Sequence, residues 1–216
     1  MNEFACVKQN DEVLKICTNI FGTRDEYTQG HSHHVHVVVE AIISRMSCQS
    51  RVDVSKLKNA ALLHDIGKIL IPDRILNKDG HLSKAEWMIM RMHPKEGKKL
   101  LEGTLFDDLG DWILYHHERM DGKGYYGLSA DDIPLESRII AVADTFSALR
   151  TYRAYRPAKS IDEAVDIIRN AAGTQLDAGI VETFLSLGKD ALENLQCNCD
   201  ICAHRRSELK QQGQAI

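Results

Sequence analysis

Aromatic residues make up only 6% of this 216-residue chain, and there are four prolines, all scattered. That scarcity excludes collagen-like, mucin-like and proline-rich architectures. Positive charge is not in excess either: 27 Lys and Arg stand against 31 Asp and Glu, a formal charge of −4. No global basic field exists to hold a nucleic acid polymer or an anionic membrane. Long apolar runs are also missing. The greasiest stretch, Val37 to Ile43, is too short to span a bilayer and contains Glu40. The N-terminus, MNEFACVKQNDEVLK, lacks the basic-then-apolar order of a signal peptide, so the expected compartment is the cytoplasm. Six cysteines do not imply a disulfide framework there.

What the chain does have is a 44% hydrophobic share, enough for a core without staples, and ten histidines. Its punctuation is helical. Residues 31–47 carry an apolar stripe, and 53–66 read as a second helix. Ser83-Lys84-Ala85-Glu86 and Ser160-Ile161-Asp162-Glu163 are capping boxes that open two more. Pro94 is expected to separate the first of these from a helix over 95–101. Further helices are expected over 107–117, from Pro134 to about Leu149, and over 178–187. Ile69 to Pro72 is the best strand candidate, and it is short. The expectation is one all-α domain with a polar tail from about Cys197.

Chemistry-bearing residues are spread over several of these helices. A bare His64-Asp65 pair is weak evidence of a metal site. His116-His117 before a Gly-rich loop is stronger, although imidazoles also suit the negative end of a helix dipole. His31, His33, His34 and His36 cannot all point inward from one helix. Asp144 lies in the apolar run Ile139 to Ala143, where an unpaired carboxylate is costly and calls for a cation. Imidazoles and carboxylates projecting inward from separate helices are how helical domains build metal sites. Mixed His/Asp ligation suits iron, manganese, zinc or cobalt. The donors outnumber the four ligands of one structural zinc, and two metals sharing a carboxylate would use them all. Such a pair can activate a water and clamp a phosphoryl group. A compact basic run from Arg150 to Lys159 reads either as a solvated face or as a phosphate clamp.

The order His31 … His64-Asp65-Ile66-Gly67-Lys68 … His93-Pro94 … His116-His117-Glu118-Arg119 … Asp121-Gly122-Lys123-Gly124-Tyr125 … Ile133-Pro134-Leu135 … Arg138 to Asp144 … Arg153-Ala154-Tyr155-Arg156 resembles the HD-GYP family. That family is a helical branch of the HD superfamily that hydrolyses cyclic dinucleotides, chiefly cyclic di-GMP. The resemblance implies a compact multi-helix HD-type domain over residues 21–190, after an N-terminal extension (1–20) expected to be helical and before a Cys-containing polar tail (191–216). It implies His31, His64, Asp65, His93, His116, His117 and Asp144 as ligands of two divalent metals. Iron or manganese comes first, with zinc, cobalt or nickel also fitting. It implies Asp65 as the bridge, Lys68 as a catalytic and phosphate-steadying residue, and Arg153 and Arg156 as phosphate contacts. The product would be linear pGpG or GMP. A non-hydrolysing cyclic-dinucleotide-binding or docking module, or a hydrolase of another nucleotide phosphate, is the alternative.

The sequence departs from the family pattern in three places. Gly124-Tyr125-Tyr126 replaces Gly-Tyr-Pro in a loop about one residue short, which bears on contacts with substrate or with a protein partner through Gly124–Gly127. Ser147 stands where the family often has Asp. Tyr27 stands where members with a third metal carry an acid, so two metals are expected. The family's usual sensory or receiver domain is not evident, with only about 20 residues ahead of the core. Outside the resemblance, Cys197, Cys199, Cys202 and His204 form a C-x-C-x-x-C-x-H run that can hold a soft metal or sense redox state.

Overall fold

The computed structural model describes residues 12–20, 26–46, 52–151 and 158–195; the side chains of 26–29 fall outside it. In chain order the helices are α1 (residues 12–20), α2 (Glu26–Arg45), α3 (Val54–Leu63), α4 (Asp73–Leu76), α5 (Lys84–Met90), α6 (His93–Leu101), α7 (Gly110–Leu114), α8 (Leu135–Arg150), α9 (Ile161–Ala171), α10 (Ala178–Leu185) and α11 (Lys189–Glu193). The expected all-α class holds: no strand occurs among the described residues, only a single bridge between Ala172 and Leu176. No described helix is long and apolar enough to cross a membrane.

The long helices make the core. α2 packs on both α3 and α8. Its Val35, Val38, Val39 and Ile42 recur at helical spacing and are fully buried, as are Leu57, Ala60 and Ala61 of α3 and Ile139, Ile140, Ala143 and Phe146 of α8. Phe146 meets Phe184 of α10 edge to face, with ring centroids 4.9 Å apart. His31 lies four residues before Val35, so the stripe that buries the valines carries the imidazole inward too.

Both capping boxes form as expected, with Ser83 and Ser160 each accepting from a backbone N–H and receiving the carboxylate of Glu86 or Glu163 in return. Other boundaries differ. The helix expected over 53–66 stops at Leu63, and Ile66–Leu70 forms a 3-10 turn that takes in the first half of the strand candidate. Pro94 does not separate two helices. It sits in the first turn of α6, where its missing N–H costs nothing, so His93 joins that helix. The helix expected over 107–117 breaks into a 3-10 turn (Asp107–Leu109), α7 and a non-helical 115–117. The helix expected over 178–187 stops at Leu185, and α11 follows it.

The 3-10 turn packs tightly on α6 through Gly67. A Cβ there would lie 2.0 Å from the His93 carbonyl oxygen and 2.5 Å from the Gly97 nitrogen, both backbone atoms that cannot swing aside. Only glycine lets the Asp65 turn and the start of α6 approach this closely. Gly67→Ala is therefore expected to cost about 1–3 kcal/mol by overpacking, measured as a lowered urea midpoint, and to spread the two segments that carry Asp65 and His93.

Candidate metal centre

Three histidines share one local device. His64 follows the last residue of α3, His93 lies three residues beyond the end of α5, and His116 lies two beyond the end of α7. Each turns its Nδ1 back to the carbonyl three residues earlier: Ala61 at 2.8 Å, Met90 at 2.8 Å and Ile113 at 2.6 Å. Helix C-termini leave such carbonyls without intrahelical donors. Because a carbonyl only accepts, Nδ1 holds the hydrogen and Nε2 keeps its lone pair.

Those lone pairs converge. The Nε2 atoms of His64, His93 and His116 are buried and have no hydrogen-bond partner. His93 Nε2 lies 3.1 Å from Asp65 Oδ1, and His64 Nε2 lies 3.3 Å from Asp65 Oδ2, distances of ion pairing without the geometry of a hydrogen bond. His31 Nε2 is 2.9 Å from Asp144 Oδ1, and His117 Nδ1 is 4.0 Å from Asp144 Oδ2. Neighbouring rings stand 5.4 Å (His31–His64), 5.2 Å (His64–His116), 5.5 Å (His93–His116) and 5.1 Å (His93–His117) apart. Two donor groups result. Asp65, His93, His116 and His117 form one; His31, His64 and Asp144 form the other, and within each group the donor atoms lie within 4.8 Å of one another. Lone pairs directed at carboxylate oxygens repel unless a cation lies between them, so these residues fit divalent metals.

The electrostatics agree for three of the histidines. Burial, reinforced by imidazole neighbours, holds His116 well below its ordinary pKa and pushes His117 down to about 3. Burial also lowers His31, against the pull of Asp144. Neutral imidazoles are the ligating form. His64 goes the other way: burial would lower it, but the adjacent Asp65 carboxylate outweighs burial and raises it. Burial would raise Asp65, and the charges of Lys68 and His64 instead hold it well below the usual carboxylate range. Asp144 is depressed likewise, its burial outweighed by His31. Lys68 Nζ lies 2.6 Å from Asp65 Oδ2 and is partly exposed, at the rim of the buried cluster.

A cleft of about 390 Å³ opens beside the donors, lined by His116, His117, Tyr125, Asp144, Thr145 and Gln175, among others. Tyr125 stacks on the His117 ring at 4.7 Å, and the Arg91 guanidinium lies over the Tyr125 ring, 4.4 Å from its centroid. Arg91 also donates to the Tyr125 carbonyl at 3.0 Å. The variant loop is thus tied to a donor residue.

Sequence reasoning misses what holds that loop. Glu118 is buried, and its carboxylate accepts from the backbone N–H of Tyr126 at 2.6 Å and of Leu128 at 2.8 Å. A Cβ on Gly124 would fall 2.6 Å from Glu118 Cα, so glycine is needed for the loop to fold over this anchor. The visible signal is a carboxylate directly after His116-His117 and ahead of a Gly-rich loop. Of the four clustered histidines only His31 reaches the donor groups; His34 bonds Ser147, and His36 bonds the Lys58 carbonyl. Arg153, Arg156, Cys197, Cys199, Cys202, His204 and the side chain of Tyr27 lie outside the described residues.

Residues 15–180 match the family model described as "HD domain". The chain belongs to the HD domain family, and the HD-GYP resemblance of its motifs is borne out. It is 40% identical over 183 residues to the cyclic di-GMP phosphodiesterase of Thermotoga maritima, covering 83% of this chain and 50% of that protein. It is 38% identical over 186 residues to 3'3'-cGAMP-specific phosphodiesterase 3 of Vibrio cholerae, covering 83% and 40%. The chain thus spans half or less of the length of these relatives. Among solved structures, the HD domain of the L. monocytogenes phosphodiesterase PgpH superposes with a TM-score of 0.58 at 16% identity, over 93% of this chain and 98% of that one, and shares the fold.

Glu118→Ala would strip two loop N–H groups of a charged acceptor, a loss of about 1–3 kcal/mol per unmet group. The Tyr126 and Leu128 amides are expected to exchange with deuterium at least about tenfold faster, while amides in α2 and α8 keep their protection.

Proposed function

We propose that this chain is a metal-dependent phosphodiesterase that opens cyclic di-GMP to pGpG or GMP, using two divalent ions, iron or manganese first. The observation that carries this reading is the convergence of bare, buried Nε2 lone pairs on Asp65 beside the His31–His64–Asp144 group. The names of the relatives support the substrate class. One acts on cyclic di-GMP, another on 3'3'-cGAMP, and the PgpH domain was solved with cyclic di-AMP, so a cyclic dinucleotide is common to all three.

When bound, the metals would supply Lewis-acid stabilisation of the phosphoryl group and an activated water. The chain's own residues do the rest. Asp65 turns one oxygen toward His93 and the other toward His64, the placement a bridge between two ions needs. Lys68, anchored on Asp65 at the rim, can swing to a phosphate oxygen or give a proton to the departing ribose oxygen. The adjoining cleft gives the nucleoside a place beside the donors. A cyclic dinucleotide has a second phosphate that the metals cannot hold, and Arg153 and Arg156 are assigned to it because Arg forks bind phosphate bidentately. The Glu118-anchored loop favours a working enzyme over a degenerate binding module, since the variant Gly-Tyr-Tyr still stacks on His117.

Anaerobically purified protein reconstituted with Mn(II) or Fe(II) should bind two ions and convert cyclic di-GMP to a linear product by chromatography. Two bound ions with no turnover of any cyclic dinucleotide would overturn the activity. Asp65→Ala is expected to lose both ions and all detectable turnover at unchanged helicity, whereas His117→Ala loses mainly one ion. Arg153→Ala should keep both ions and lower kcat/KM for cyclic di-GMP by about one to two decades, the loss of a charge-assisted contact of about 1.5–3 kcal/mol. A nitrophenyl phosphate ester, with no second phosphate, should be hydrolysed by that variant at near the parental rate.

A further inference from the structure

His31 differs from the other imidazoles in where it sits. His64, His93 and His116 stand beyond helix ends and use free carbonyls, but His31 lies inside α2, where the preceding carbonyls are taken by the helix itself. Its Nδ1 reaches across the α2–α8 interface to Ser147 Oγ at 2.9 Å. Ser147 is fully buried, and the same oxygen lies 2.9 Å from His34 Nδ1. His34 Nε2 in turn lies 3.0 Å from the Leu195 carbonyl oxygen.

The chemistry of the groups gives this chain a direction. The Leu195 carbonyl only accepts, so His34 Nε2 carries a hydrogen and donates it. In the neutral ring Nδ1 is then an acceptor and takes the Ser147 hydroxyl hydrogen. The Ser147 oxygen has no second hydrogen, so toward His31 it can only accept. That leaves a hydrogen on His31 Nδ1, so that an ion at this group would find the lone pair on Nε2, which lies 2.9 Å from Asp144 Oδ1. We propose that Ser147 and His34 are positioning residues for the metal at the His31–His64–Asp144 group: they set the tautomer and ring orientation of His31 and tether it to Leu195. The inference rests on the metal-binding part of the proposed function, not on the phosphodiesterase activity. Serine in place of the family's frequent Asp is then a working substitution, because its hydroxyl supplies the same acceptor to His31.

The test is metal affinity in the full chain, by chelator competition with Mn(II) and elemental analysis, beside 15N spectra of the histidine rings in the protein loaded with diamagnetic Zn(II). Ser147→Ala is expected to weaken one of the two ions by about 10–100-fold, the usual effect of removing the partner behind a ligating imidazole, and to leave the other unchanged. The His31 signal should lose its Nδ1–H tautomer. Ser147→Asp, whose carboxylate accepts from the same Nδ1–H, should restore both the affinity and the tautomer. His34→Ala, which removes the orienting end of the chain, should shift the tautomer in the same direction, and it takes the place of Ser147→Ala should that variant not fold. Unchanged affinities and an unchanged tautomer overturn the inference. Equal losses in Ser147→Ala and Ser147→Asp also overturn it, making Ser147 a packing residue. A parental protein that binds no divalent ion would instead overturn the metal reading itself.

Discussion

The centre depends on a hydrogen bond that never touches a metal: imidazole Nδ1–H to a carbonyl at a helix end. The carbonyls in the last turn of a helix have no donor from within it, and a histidine one to three residues past the end can supply one. That bond fixes the ring and the tautomer together, leaving Nε2 bare and inward. The three uses of the device, at His64, His93 and His116, stand at the ends of α3, α5 and α7. A longer α7 running through 117, as the apolar pattern allows, would consume the Ile113 carbonyl in a helical bond and free the His116 ring. The broken helices are the means by which three lone pairs come to face one carboxylate.

The two donor groups are held by different parts of the fold. His31 and Asp144 belong to α2 and α8, which pack through fully buried side chains, and His64 closes α3, which packs on α2. The other group hangs on the 3-10 turn, the start of α6 and the non-helical 115–117 segment. Its precision comes from local contacts: Gly67 against the His93 and Gly97 backbone, and Tyr125 stacked on His117 with Arg91 over the Tyr125 ring. Departures in the loop after Gly124 therefore act on the His117 side and leave the α2–α8 side alone.

Much of this is legible in the sequence, for physical reasons. Capping boxes are local, and both are readable at Ser83 and Ser160. The apolar stripe of α2 points His31 inward, and the motif order marks all seven donors. Helix ends are less legible. Apolar periodicity continues through His64-Asp65-Ile66 and through Leu114 to His117, while the competing hydrogen bonds that end those helices are made by the histidines themselves. Periodicity does not register a side chain that captures a backbone carbonyl. Pro94 misleads in the opposite direction, since proline breaks a helix interior and suits its first turn. Glu118 and Ser147 stand out in the sequence only by position, because their partners, two loop amides in one case and two imidazoles in the other, are defined only once the chain is folded.

The tolerance of this framework follows from which atoms do the holding. Backbone carbonyls serve His64, His93 and His116, so no single side-chain change removes their partners, and substitutions near them act only by moving the helix end. His31 takes its Nδ1 partner from a side chain, Ser147, so it is a donor at which sequence change can retune the site without touching a ligand. Ser147, two hydrogen bonds from Leu195, places that adjustable point on the path between the buried core and the end of α11. A family-level difference at one buried position thus has a physical reading. Ser147 Oγ lies within hydrogen-bond distance of His31 Nδ1 and brings none of the negative charge that an Asp there would carry.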